Sequence, residues 1–151
     1  MKKLFSTLFL GMFVFAANAQ LPEATMLNKM MNILIDKKCA DYLKEKVEDS
    51  DRAMFRSSLS EKGKPEIFIE DTTQFRPYSF YSIIGKSKTD LAKAKTTLKA
   101  LMKQKKISYN PKIDNEYMNG MEVYADNGLV IQLLFSEIEE KVQLFVFKGE
   151  E

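Results

Sequence analysis

Residues 121–148 read MEVYADNGLVIQLLFSEIEEKVQLFVFK, three apolar runs separated by two polar turns. Met121 to Ala125 reads as a strand. Asp126-Asn127-Gly128 is a hairpin signal, because Asn and Gly tolerate positive φ. Leu129 to Ser136 makes a second strand, Glu137 to Glu140 a polar turn, and Lys141 to Lys148 a third strand. In the second strand Leu129, Ile131, Leu133 and Phe135 share one face, while Val130 and Leu134 share the other. A strand apolar on both faces is covered twice, or it meets a partner.

Working upstream, residues 108–120 are polar and contain Asn110-Pro111 and Asn119-Gly120, which reads as a loop. Residues 87–106 form the clearest helix. Ser87-x-x-Asp90 resembles a capping box, and Leu91, Ala94, Leu98, Leu101 and Met102 make one apolar stripe. Residues 75–84, FRPYSFYSII, and the shorter Glu66 to Glu70 are rich in aromatic and β-branched side chains, which favour strands. Pro77 places the longer one at an edge or in a loop leading into it. Residues 22–62 read as helices. Met26/Leu27, Met30/Met31 and Ile33/Leu34 recur at helical spacing, with a break near Asp36–Lys38. The pattern resumes at Tyr42, Leu43 and Val47, and Ser50-Asp51 caps a short helix carrying Met54, Phe55 and Leu59.

The expected fold is α+β. A mostly antiparallel sheet of about five strands carries N-terminal helices and one long central helix on one face. The 87–106 helix can act as a right-handed crossover, which would pair strand 75–84 with strand 121–125 in parallel. No internal repeat is visible.

Residues 1–20 read MKKLFSTLFLGMFVFAANAQ. Lys2 and Lys3 precede an uncharged apolar run from Leu4 to Ala16, and Ala17-Asn18-Ala19 places small residues where a signal peptidase cuts. The run is shorter than the roughly 20 apolar residues of a membrane span. The expectation is a signal peptide over 1–19, cleavage after Ala19, a single domain over 20–151 and a periplasmic or secreted location, with no transmembrane segment after cleavage. The leader takes two of the 23 basic side chains and no acid, so residues 20–151 balance 21 bases against 21 acids. Such a chain has no global field to draw nucleic acid.

The chain has no His, no Trp and one Cys. That excludes imidazole-dependent nucleophilic catalysis, the usual zinc sites and an internal disulfide. Gly85-Lys86-Ser87 follows a strand and opens a helix, but the P-loop also needs a glycine where Phe80 stands. What survives there is anion binding at a helix start. Acid clusters at Glu48-Asp49-Asp51 and Glu137-Glu139-Glu140 suggest no cleft of the kind a glycosidase requires. Asp114-Asn115-Glu116 fails calcium-loop spacing, with Met118 in a ligand position.

Two surfaces remain. Residues 86–106 hold eight Lys and one acid, whereas 107–151 hold nine acids and three Lys. Lys88, Lys95, Lys99, Lys103 and Lys106 cluster on one helix flank and, with Lys86, form a candidate anion-binding set. The opposing reading is a lysine face that neutralises the acidic strands. Arg76, Tyr78 and Tyr81 in the aromatic strand form a candidate partner surface, since Tyr and Arg are common binding anchors. Cys39 is expected to be buried, and the nine Met suit adaptable packing.

The expected function is therefore a small exported, non-enzymatic binding module with a protein partner, such as an inhibitor, an immunity-type protein or an envelope-assembly factor. The alternatives are a binder of anionic envelope polymer or lipid, and a carboxylate-only hydrolase. No cofactor, metal site or nucleic-acid partner is expected.

Overall fold

The computed structural model describes residues 20–48, 50, 52–71 and 78–149. Residues 1–19, expected to be a signal peptide, and Asp49, Asp51, Phe75, Arg76 and Pro77 lie outside them.

Helix α1 spans Ala24–Ile35 and buries Leu27, Met30, Met31, Ile33 and Leu34, the stripe expected from their spacing. Helix α2 spans Lys88–Lys103 and buries Asp90, Leu91, Ala94 and Leu98. Ser87 caps it, its Oγ accepting from Asp90 N at 3.1 Å. The Asp90 carboxylate in turn accepts from Lys86 N at 2.9 Å. Gly85 is required beside it: a Cβ there would sit 2.6 Å from Asp90 Cβ.

Both helices end in the same device. Lys37 adopts φ 56° and Lys105 φ 57°. Lys37 N donates to Leu34 O and Lys38 N to Ile33 O; Lys105 N donates to Met102 O and Lys106 N to Leu101 O. These are Schellman closures with lysine in the left-handed position usually held by glycine. The residue after each closure, Cys39 and Ile107, is buried.

The strands are β1 (Leu43–Lys46), β2 (Met54–Ser57), β3 (Ile67–Asp71), β4 (Tyr78–Gly85), β5 (Lys112–Tyr117), β6 (Gly120–Tyr124), β7 (Leu129–Ser136) and β8 (Lys141–Lys148). They form one sheet in the order β1-β2-β3-β4-β8-β7-β6-β5, and every pairing is antiparallel. Each half of the chain is thus a helix followed by a four-stranded meander, and the strand order is mirrored about the β4–β8 seam. The connection through α2 crosses from the seam to the far edge, after which the second meander runs back.

Alternation along the strands puts Ile69, Phe80, Val123, Ile131, Leu144 and Val146 on one face. That face joins the buried residues of α1 and α2 in one core. Helix α1 touches β8 and β4; α2 touches β7, β4 and β8. Truncating a fully buried leucine here, such as Leu98 or Leu133, should cost about 2–5 kcal/mol.

The α+β class, the antiparallel sheet and both main helices agree with the sequence. Several details do not. The sheet has eight strands among the described residues, not about five. Residues 43–46 and 54–57 are strands, not helices. The loop over 108–120 contains β5. Strand β4 pairs with β3 and β8 rather than with β6, so no parallel crossover forms. Although no sequence repeat is evident, the architecture repeats. Asp126–Gly128 does turn the chain between β6 and β7, with Asn127 at φ 66° and Gly128 at φ 78°.

Candidate functional site: the helix-free face of the sheet

The opposite face of the sheet carries Phe68, Glu70, Ser79, Tyr81, Gln143 and Phe145 from β3, β4 and β8. None of these joins the core built around the helices, and neither described helix packs on this side. At its centre Tyr81 and Phe145 are direct cross-strand partners over the seam, with ring centroids 5.0 Å apart. Phe68 extends the row, 6.3 Å from the Tyr81 ring. Aromatic pairs at such distances contribute about 0.5–1.5 kcal/mol beyond their buried area.

Polar groups fix this row in place. Arg52, in the segment before β2, lies with its guanidinium 5.1 Å from the Tyr81 ring centroid. It also pairs with Glu70 at 3.2 Å. The Arg52 side chain stays 43% exposed while that of Glu70 is 11% exposed, so the cation faces outward and its anchor is sunk into the sheet. Gln143 Nε2 donates to Tyr81 Oη at 3.0 Å, which leaves the phenol proton free to donate. Ser79, beside Glu70 in the ladder, is fully buried and its Oγ has no hydrogen-bond partner among the described residues. The buried Tyr81 ring thus lies between the half-buried Phe68 and Phe145 rings, with an outward guanidinium beside it; Tyr and Arg are residue types that recur as anchors at protein interfaces.

Of the partner surface expected from sequence, Tyr81 is on this face but only 3% exposed. Tyr78 is on the opposite face against the core. Arg76 lies outside the described residues. Arg52, Glu70 and Gln143 were not foreseen, because they come together only through strand register.

Half of the candidate lysine set is answered by acids. Lys99 pairs with Glu116 at 2.8 Å, and Lys95 lies 3.6 Å from the same carboxylate while donating to Tyr117 O at 2.7 Å. Lys88 pairs with Glu137 at 3.2 Å. Lysine hydrogen bonding pulls the Glu116 and Glu137 carboxyls below their ordinary range. Lys86, Lys103 and Lys106 are exposed and carry no ion pair among the described residues. At the helix start Asp90 already accepts from Lys86 N, where an external anion would sit. Tuning a general acid would raise a carboxyl's pKa; Glu116 and Glu137 move the other way.

A cleft of about 510 Å³ opens between Gln20–Met26, the Glu61–Pro65 loop and α2. Lys64 bridges Glu61 at 3.0 Å and Glu23 at 3.5 Å there. Among the described residues no group of three or more His, Cys, Asp or Glu could hold a metal ion. No described helix is long and apolar enough to cross a membrane. No protein-family model matches the chain, and no curated protein and no solved structure matches it either.

Proposed function

We propose that the protein is exported, with residues 1–19 as a cleaved leader, and acts as a non-enzymatic binding module. It engages a protein partner through the helix-free face of its sheet. The observation that carries this reading is the Phe68–Tyr81–Phe145 row with Arg52 over its centre. A sheet with one face under helices needs no aromatic row and anchored arginine on the other for its own core. The same residue types serve as anchors at protein interfaces. The lysine flank is read as an internal counter-charge, because three of its six members meet Glu side chains or strand carbonyls.

The test combines fractionation with crosslinking. A photo-crosslinker at position 145 should trap one defined partner from envelope extracts, and Arg52→Glu should abolish the adduct. Lys103→Glu should leave it intact. Loss in the Lys103 variant with retention in the Arg52 variant would overturn the face assignment. So would retention on anionic vesicles that depends on Lys103 and Lys106, without any adduct. Recovery of the uncut precursor from the soluble cytosolic fraction would overturn export.

A further inference from the structure

Large apolar side chains in water are ordinary when scattered and informative when they gather. Among the described residues six are exposed, and four of these, Ile83, Tyr117, Met118 and Ile138, stand at one margin of the sheet. Strand pairing fixes the arrangement. Tyr117 of β5 faces Gly120 of β6, Gly120 faces Leu134 of β7, Leu134 faces Gln143 of β8, and Gln143 faces Ile83 of β4. This row bounds the helix-free face near the ends of those strands. A Cβ on Gly120 would sit 2.7 Å from the Tyr117 ring, so only a glycine there leaves the ring room to lie across β6. Beyond the row project two hairpin tips, Met118 between β5 and β6 at 82% exposure and Ile138 between β7 and β8 at 96%.

The two tips are held side by side. Phe135 N donates to Asn119 O at 2.7 Å, and Asn119 Nδ2 donates to Glu137 Oε1 at 3.4 Å. Ser136 Oγ accepts from Glu139 N at 3.2 Å, which fixes the turn that carries Ile138. The charges around the tips are matched: Lys88 pairs with Glu137, Lys141 with Glu139 at 2.9 Å, and Lys99 with Glu116. Lys86, just past β4, and Glu140, just before β8, are exposed, carry no ion pair among the described residues and are of opposite sign. Projecting apolar tips backed by a row that includes a tyrosine suit the boundary between water and lipid, where apolar groups enter and a tyrosine ring sits at headgroup level. Balanced charges match headgroups that carry both signs, and give no pull toward a surface of net negative charge. A protein pocket would have to be shaped to both tips, whereas a lipid boundary takes them as they stand.

We infer that this margin docks on a zwitterionic lipid surface: Met118 and Ile138 enter the headgroup boundary, and Tyr117, Leu134 and Ile83 lie along it. The inference goes beyond the partner reading above and does not depend on it. The full-length chain is expressed in an exporting bacterial host, and the recovered protein is floated with vesicles of phosphatidylcholine and phosphatidylethanolamine. The parent should co-float, at high salt as at low. Met118→Ser combined with Ile138→Asp changes two side chains that lie in solvent, so the thermal transition should stay where it is. The partition onto vesicles should fall about tenfold or more, since each large apolar side chain withheld from the boundary removes a substantial share of the binding. Arg52→Glu and Lys103→Glu should float as the parent does. A parent that stays in the aqueous layer overturns the docking site. So does a double variant that floats as well as the parent, because residues 1–19 or another surface would then hold the lipid. Flotation that requires added phosphatidylglycerol overturns the zwitterionic assignment. A photo-crosslinker at position 138 that traps a protein, with no vesicle binding, overturns it in favour of a protein pocket.

Discussion

Cys39 sits 2% exposed just past the closure of α1. Burial alone pushes its thiol up from 9.0 to about 11. The folded state therefore disfavours the thiolate, and the sign follows. Below pH 9 the thiol is neutral folded or unfolded. Between about pH 9 and 11 the unfolded chain ionises first, and stability falls as pH rises through that window. At pH 8 Cys39 should react with a thiol reagent only in denaturant; rapid labelling of the native protein would contradict its burial. Its burial was expected from the absence of a His to activate the thiol, on a helix face; the structure buries it in the turn after α1 instead. The Arg52–Glu70–Tyr81 cluster was not legible in the sequence. Each of its members is an ordinary residue in its own segment. Only the pairing of β3 with β4, together with the approach of the Arg52 segment, makes them neighbours.

The paired Schellman closures offer a test at the level of the element. Lysine at φ near 57° pays a steric penalty that glycine avoids. Lys37→Gly and Lys105→Gly should each raise stability by about 1 kcal/mol in urea unfolding. A loss in both would mean the lysine side chains make contacts worth more than the strain. The tie between α2 and β5 has its own signature. Hydrogen bonding from Lys99 is the main cause of the lowered Glu116 pKa. What this pair contributes is present above the ordinary glutamate range and is lost as pH falls through the lowered value. In Lys99→Met the carboxyl titration of Glu116, followed by NMR, should move upward. The same elements show why sequence reading stopped short. Strand β1, LKEK, and strand β5, KIDNEY, are edge strands with mostly exposed side chains and an irregular register. Neither can show the inside–outside alternation that betrays a strand. Leu43 and Val47 stand four apart, as on a helix, and Lys and Glu favour helices. Sheet pairing overrode that local preference. Strands β6, β7 and β8 were legible because they lie inside the sheet and carry dense apolar runs bounded by polar turns, whose residues are largely buried.

For the whole molecule, the mirrored order places β4 and β8 in the middle and the two charged strands of irregular register at the rims. Those rims discourage edge-to-edge association. The seam is also where stability concentrates. Strand β8 pairs with β4 and β7 and contacts both helices. Deleting residues 141–151 should abolish cooperative thermal unfolding and leave a species that binds hydrophobic dyes. A truncated chain with a sharp transition would show that the first meander and α1 fold without it. The central position of β8 has a temporal consequence. It is the last of the described strands to be synthesised, and its pairing with β4 spans a long stretch of intervening chain, a slow kind of contact to close. Until that strand emerges the arch lacks its keystone, and β4 and β7 each wait with an open edge.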